Sequence, residues 1–135
     1  GKAIQCKALE FKKRTLDITA EEGINVLLEH ETGVHSNVHL NYVQKPDRRS
    51  LDIIGEKGSL YWEPDKNEII FDDGENKQIY TFENNPMGTP YEQSFYNQME
   101  HFVAMAQKKV KPKVPLIKGI EDLELCTAIL KEIGR

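Results

Sequence analysis

Three groups of residues in this 135-residue chain are of types and spacing that could do chemistry. Asn37, His39 and Asn41 alternate along one stretch and so share one face of a strand. Neutral amides and an imidazole both donate and accept hydrogen bonds, as recognition of sugar hydroxyls requires. Three readings of that stripe stand side by side: a solvated sheet face, a subunit interface, or substrate contact through His39 and Asn41. Arg48 and Arg49 follow a turn at Pro46. Neighbouring side chains of an extended backbone diverge, so at most one arginine serves a site, where a guanidinium suits a phosphate or carboxylate. The alternative is a surface arginine. Tyr91 follows the segment 84–90, whose asparagines and prolines mark a candidate substrate or interface loop. Tyr91 and Tyr96, five apart, diverge around a helix, and one of them is expected at the surface.

Other constellations fall away on spacing. His30, His35 and His39 lie on neighbouring strands with Cys6 in reach, but a zinc site needs about four convergent ligands. His35 and His39 share a face yet sit roughly 13 Å apart along it, so no metal is expected. No Gly-x-Gly-x-x-Gly loop, P-loop, zinc motif or nucleophile elbow occurs in the chain. A net charge of −4 leaves no footprint for nucleic acid, and Lys12-Lys13-Arg14 reads as a solvated turn. No run approaches the ~18 apolar residues of a membrane span. Hydrophobic content of 39% beside 30% charged residues is that of a soluble globular domain.

The elements that must position these residues come in two runs. Ala3–Phe11 is apolar-rich and strand-like, Ile24–Glu29 reads as a second strand, and Val34–Val43 as a long third strand with Val38, Leu40 and Tyr42 on one face; Gly33 turns the chain between the last two. Arg49 to Trp62 reads as strand, glycine-bracketed turn, strand, with Gly55 and Gly58 around the turn. Glu68–Phe71 and Lys77–Phe82 complete the strands, joined at Asp73-Gly74. From Tyr91 the period becomes helical. Phe95, Met99, Phe102, Val103 and Ala106 form one stripe, with Phe95 expected in the core. A second helix is expected from about Gly119 to Ile133, with Leu123, Cys126, Ile129, Leu130 and Ile133 as its apolar face and Glu121, Asp122 and Glu124 as first-turn charges. Strands first and helices last imply α+β, with an open, mostly antiparallel sheet of about six strands and two C-terminal helices on one face. Residues 1–135 read as one domain. Cys6 and Cys126 read as buried thiols rather than a bridge, which fits a cytoplasmic protein.

With that order established, the chain resembles the C-terminal domain of the Gfo/Idh/MocA oxidoreductases. The likeness rests on Glu22–Asn41 around Gly33, and on the hairpin Leu51-Asp52-Ile53-Ile54-Gly55-Glu56-Lys57-Gly58-Ser59-Leu60-Tyr61-Trp62. It continues in Glu100-His101-Phe102 and Gly119-Ile120-Glu121-Asp122-Leu123-Glu124-Leu125. The resemblance implies a substrate-binding and oligomerisation domain of an NAD(P)-dependent enzyme acting on a sugar, nucleotide sugar or cyclitol. It implies NAD or NADP bound by a separate N-terminal domain, and none bound by this segment. The tract Leu40–Trp62 is similar to members acting in surface-polysaccharide sugar pathways. The family's catalytic lysine lies in a Glu-Lys-Pro motif outside this segment. Glu56-Lys57 is followed by Gly58 in a hairpin turn, and Gln44-Lys45-Pro46 lacks the glutamate, so neither lysine is read as that base. No catalytic residue is assigned here.

The chain opens on Gly1 and enters a strand almost at once, and it is expected to be a fragment that is inactive alone. As a part of such an enzyme it should associate with copies of itself through the uncovered sheet face. The competing reading is a stand-alone binding module that uses that face for a ligand or protein partner.

Overall fold

Among the described residues, alternating side chains become seven strands, followed in sequence by two helices. The computed structural model describes residues 1–11, 15–82 and 90–135, with Pro90 and Tyr91 described by backbone alone. The basic cluster at 12–14 and the candidate loop from Asn84 lie outside the described residues. The strands are β1 (Ala3–Glu10), β2 (Gly23–His30), β3 (His35–Asn41), β4 (Leu51–Gly55), β5 (Gly58–Glu63), β6 (Glu68–Asp72) and β7 (Lys77–Thr81). The helices are α1 (Pro90–Ala106) and α2 (Leu116–Glu132), and a 3-10 turn covers Pro64–Lys66. The chain groups into two compact units, Gly1–Pro46 with Val114–Arg135, and Asp47–Lys113. The α+β class with antiparallel sheets is as expected, but the strands number seven and form two ladders, β1-β2-β3 and β4-β5-β6-β7.

In the first unit, β2 is the central strand. The pairings Ala8↔Val26 and Val26↔Val38 set one row, and Leu9↔Asn25 and Asn25↔His39 the next. Successive rows point to opposite faces. Val26 and Leu28, 3% and 9% exposed, lie on the first face and are the buried apolar side chains among the described residues. Helix α2 lies against β1, and Cys6, Ala8 and Glu10 are half-buried beside it. Arg135, just past α2, pairs with Glu10 at 2.8 Å and Glu21 at 2.7 Å, and Glu132 pairs with Lys7 at 3.1 Å. The opposite face is uncovered: Leu9 is 74% and Leu27 59% exposed.

The connection into β2 is tied by Glu22, itself buried. Its carboxylate accepts the backbone N–H groups of Thr15 and Leu16 and, at 3.0 Å, the Thr15 hydroxyl. The buried carboxylate is thus satisfied by donors of the adjoining exposed segment, as burial of a polar group demands.

In the second unit, the β4–β5 hairpin closes on Gly55↔Gly58, so its loop is Glu56-Lys57 as the glycines predict. Gly58 has φ +136°, and an added Cβ would stand 2.5 Å from the Asp72 carbonyl oxygen. Both facts require glycine. Rows such as Leu51↔Trp62↔Ile69↔Tyr80 place the larger apolar residues on one sheet face. The β6–β7 turn is held by Asp73, whose carboxylate accepts the Glu75 and Asn76 N–H groups at 2.9 and 2.6 Å. Those amides hold the Asp73 carboxyl below its ordinary range.

The helices depart from the sequence reading in detail. Helix α2 begins at Leu116, directly after Pro115 in extended conformation, so Glu121, Asp122 and Glu124 lie beyond its first turn. Glu121 instead pairs with Lys118 at 2.6 Å, which holds the Glu121 carboxyl low and the Lys118 amine high. Cys126, Leu123 and Leu130 are exposed, while Leu125, Ala128, Ile129 and Ile133 are half-buried. The α2 contact face is therefore rotated from the one the sequence picks out. Helix α1 touches the 3-10 turn, and its stripe, Phe95 included, is exposed rather than core. Among the described residues no helix is long and apolar enough to cross a membrane.

Candidate functional site

Antiparallel register brings polar side chains of β2 and β3 together on the uncovered face. The pairing Asn25↔His39 sets these two side by side. Nδ1 of His39 lies 2.7 Å from Asn25 Oδ1, and Nε2 lies 2.8 Å from Asn41 Nδ2. Asn41 is anchored in turn: its Oδ1 accepts the Val43 N–H at 3.2 Å and the Gln44 N–H at 2.7 Å. Gln44 Oε1 returns to Asn41 Nδ2 at 3.4 Å. The Phe11 ring completes the group, its centroid 5.7 Å from that of His39 and tilted by 46°. Gly23 makes room for it, since a Cβ there would lie 2.4 Å from the ring. The result is a connected neutral network beside an aromatic ring.

The stripe expected from sequence is thus real, and His39 and Asn41 are in direct contact. Both imidazole nitrogens of His39 have hydrogen-bonding partners within the network. Among the described residues no three His, Cys, Asp or Glu side chains converge on a possible metal site. His30 is occupied elsewhere, with Gly1 O at 3.1 Å and Ser36 Oγ at 2.7 Å.

Arg48 and Arg49 belong to the second unit. Arg48 Nη2 donates to Glu63 Oε1 at 3.1 Å, and Lys66 Nζ meets the other oxygen at 3.2 Å. The Lys66 hydrogen bond and charge, with the charge of Arg48, hold the Glu63 carboxyl below its ordinary range. Arg48 keeps its remaining donors and shares the single Glu63 carboxylate with Lys66. Arg49 is exposed. The hollow beside this group, between Tyr61, Lys66 and Ile70, measures about 30 Å³, room for about one water and no sugar ring. A larger open groove of about 390 Å³ runs along α1 past Tyr96, Met99 and Val103. The Tyr91 side chain lies outside the described residues. Lys57 sits in the hairpin turn and Lys45 is exposed.

Sequence reading missed Asn25, Phe11 and Gln44. Asn25 was accessible: pairing in the β2–β3 hairpin is symmetric about Thr32, which sets 25 opposite 39. Phe11 and Gln44 carried no comparable signal, because their contacts depend on the space over Gly23 and on the return of the chain after Asn41.

No family model matches this sequence, and no curated protein matches it either. Solved structures do match its fold. The crystal structure of biliverdin reductase in complex with biliverdin and NADP+ from Synechocystis sp. PCC 6803 is similar over 100% of this chain, with a TM-score of 0.75 and 16% identity. The chain spans 42% of that reductase chain, and at that identity the likeness is one of fold.

Proposed function

We propose that this chain is the substrate-side and assembly domain of a larger NAD(P)-dependent oxidoreductase of the Gfo/Idh/MocA type. The observation that carries the reading is the fold match, whole on this side and 42% on the other, to a reductase that holds NADP+. The hairpin Leu51–Trp62 and the helix segments named above support the same family. The parent enzyme acts on a sugar, nucleotide sugar or cyclitol and binds NAD or NADP in a domain other than this one. There the cofactor would accept a hydride from a carbinol carbon. This chain's part is to bind and orient: in the first unit, neutral donors and acceptors at His39 and Asn41 read hydroxyls, and in the second unit the candidate contacts are Tyr91 and one of Arg48 and Arg49, whose guanidinium suits an anionic group. The free thiols Cys6 and Cys126 support a cytoplasmic setting. Copies associate through the sheet face bearing Leu9 and Leu27, and this segment alone is not catalytic.

Light scattering on the chain across a concentration series, with and without NADH, tests this. The expected result is a dimer or larger species whose mass does not respond to NADH. A strict monomer would remove the assembly role and favour a stand-alone binding module. A mass that changes with NADH would overturn the division of labour.

A further inference from the structure

We infer that His39 is a proton-operated latch on the turn that leaves β3. The inference stands on the hydrogen-bond geometry of this chain and does not depend on the enzyme family. Two backbone N–H groups, of Val43 and Gln44, point at one side of the Asn41 amide. Only the carbonyl oxygen can accept them, so the amide nitrogen must face His39 Nε2. Nε2 is then an acceptor. A neutral imidazole with an accepting Nε2 carries its proton on Nδ1, where Asn25 Oδ1 waits at 2.7 Å. Three separate contacts therefore agree on one tautomer, the neutral Nδ1–H form.

Protonation breaks that agreement at a single contact. An imidazolium has two N–H donors and no acceptor. Nδ1–H keeps Asn25, but the new Nε2–H faces the N–H groups of Asn41. The relief is for the Asn41 amide to turn over and offer its oxygen to the cation, a charge-assisted bond. Its NH2 then meets the Val43 and Gln44 N–H groups, donor against donor. One oxygen serves either the turn or the ring, never both, so a proton on His39 opens the turn at 43–44.

The surroundings leave the ring to this choice. On its face, β2 contributes Gly23, Asn25 and Leu27, β1 contributes Leu9 and Phe11, and β3 contributes Asn37 and Asn41. The charged and titratable groups of that face among the described residues are Lys7, one row away and paired with Glu132, and Glu29 with His35, a further row off. Glu22 is directed to Thr15 and Leu16. Histidine is the side chain whose charge ordinarily changes between about pH 5 and pH 8.

The test is a nitrogen-15 NMR titration of the whole chain over that range, following the His39 ring and the Val43 and Gln44 amides together. The Nδ1–H tautomer is expected at the basic end. As His39 takes its proton, both amides should shift with the same midpoint, and hydrogen-exchange protection at Gln44, corrected for intrinsic pH dependence, should fall about tenfold. Asn41→Asp offers one oxygen to the turn and the other to the ring, so its turn should stay closed throughout. His39→Gln should abolish the coupled shift and serves if the aspartate variant does not fold. A His39 ring that titrates while the two amides stay still would overturn the latch, as would an Nε2–H tautomer at the basic end.

Discussion

At the scale of single residues, partners already present in the fold decide what each side chain has left to offer. Glu63 sits between Lys66 and Arg48, and its carboxyl is held low chiefly by the Lys66 hydrogen bond. A carboxyl whose folded value is depressed contributes stability above its ordinary range and loses it as pH falls through the folded value. Arg48 and Lys66 are exposed and Glu63 is half-buried at the surface, so that contribution is small. Lys66→Ala should raise the Glu63 titration midpoint toward the ordinary value, readable by carbon-13 NMR, while the melting temperature hardly moves. Glu22 is the opposite case. Glu22→Ala would leave the Thr15 and Leu16 N–H groups without their acceptor, a loss of about 1–3 kcal/mol, whereas Glu22→Gln retains an oxygen and should lose less. Denaturant midpoints of the two variants give the comparison. Gly58→Ala meets both a positive φ and the Asp72 carbonyl, and should cost more than the roughly 1 kcal/mol of an incompatible backbone alone.

At the scale of elements, the strands were legible and the surfaces that cover them were not. Period-two alternation fixes which residues share a face, so the Asn37-His39-Asn41 stripe and the Leu51–Trp62 hairpin followed from spacing. Alternation does not say which strand joins which ladder, and the division after β3 is a matter of pairing across 42–50. Helix α2 starts three residues before Gly119 because Pro115 in extended conformation can precede the first turn, and Leu116-Ile117-Lys118 continue a helix readily. Its contact face was misjudged for a related reason: a helix with apolar residues on two sides does not declare which one meets β1. The clamp at Arg135 is similarly invisible in sequence, since Glu10 lies 125 positions away. Arg135→Ala should free the end of α2, with faster hydrogen exchange at 129–134 and a cost of about 1 kcal/mol or less.

At the scale of the whole molecule, far more large apolar side chains are exposed than buried among the described residues. Val26 and Leu28 are inside, while Leu9 and Leu27 stand on the open face of β1–β3 and Leu51, Ile53 and Tyr80 on a face of β4–β7. Extended apolar sheet faces mark contact surfaces. In the proposed enzyme such a face would receive another copy of the chain. On the β1–β3 face the apolar side chains Leu9 and Leu27 border the polar centre Asn25-His39-Asn41, and it is these two that a second copy would cover. Leu27 lies beside that centre, flanked by Lys7 and Asn37 in register. Leu27→Lys should therefore weaken self-association at least about tenfold, roughly 1.4 kcal/mol, with circular dichroism unchanged. Should the variant keep the wild-type mass at every concentration, copies would be meeting through some other surface.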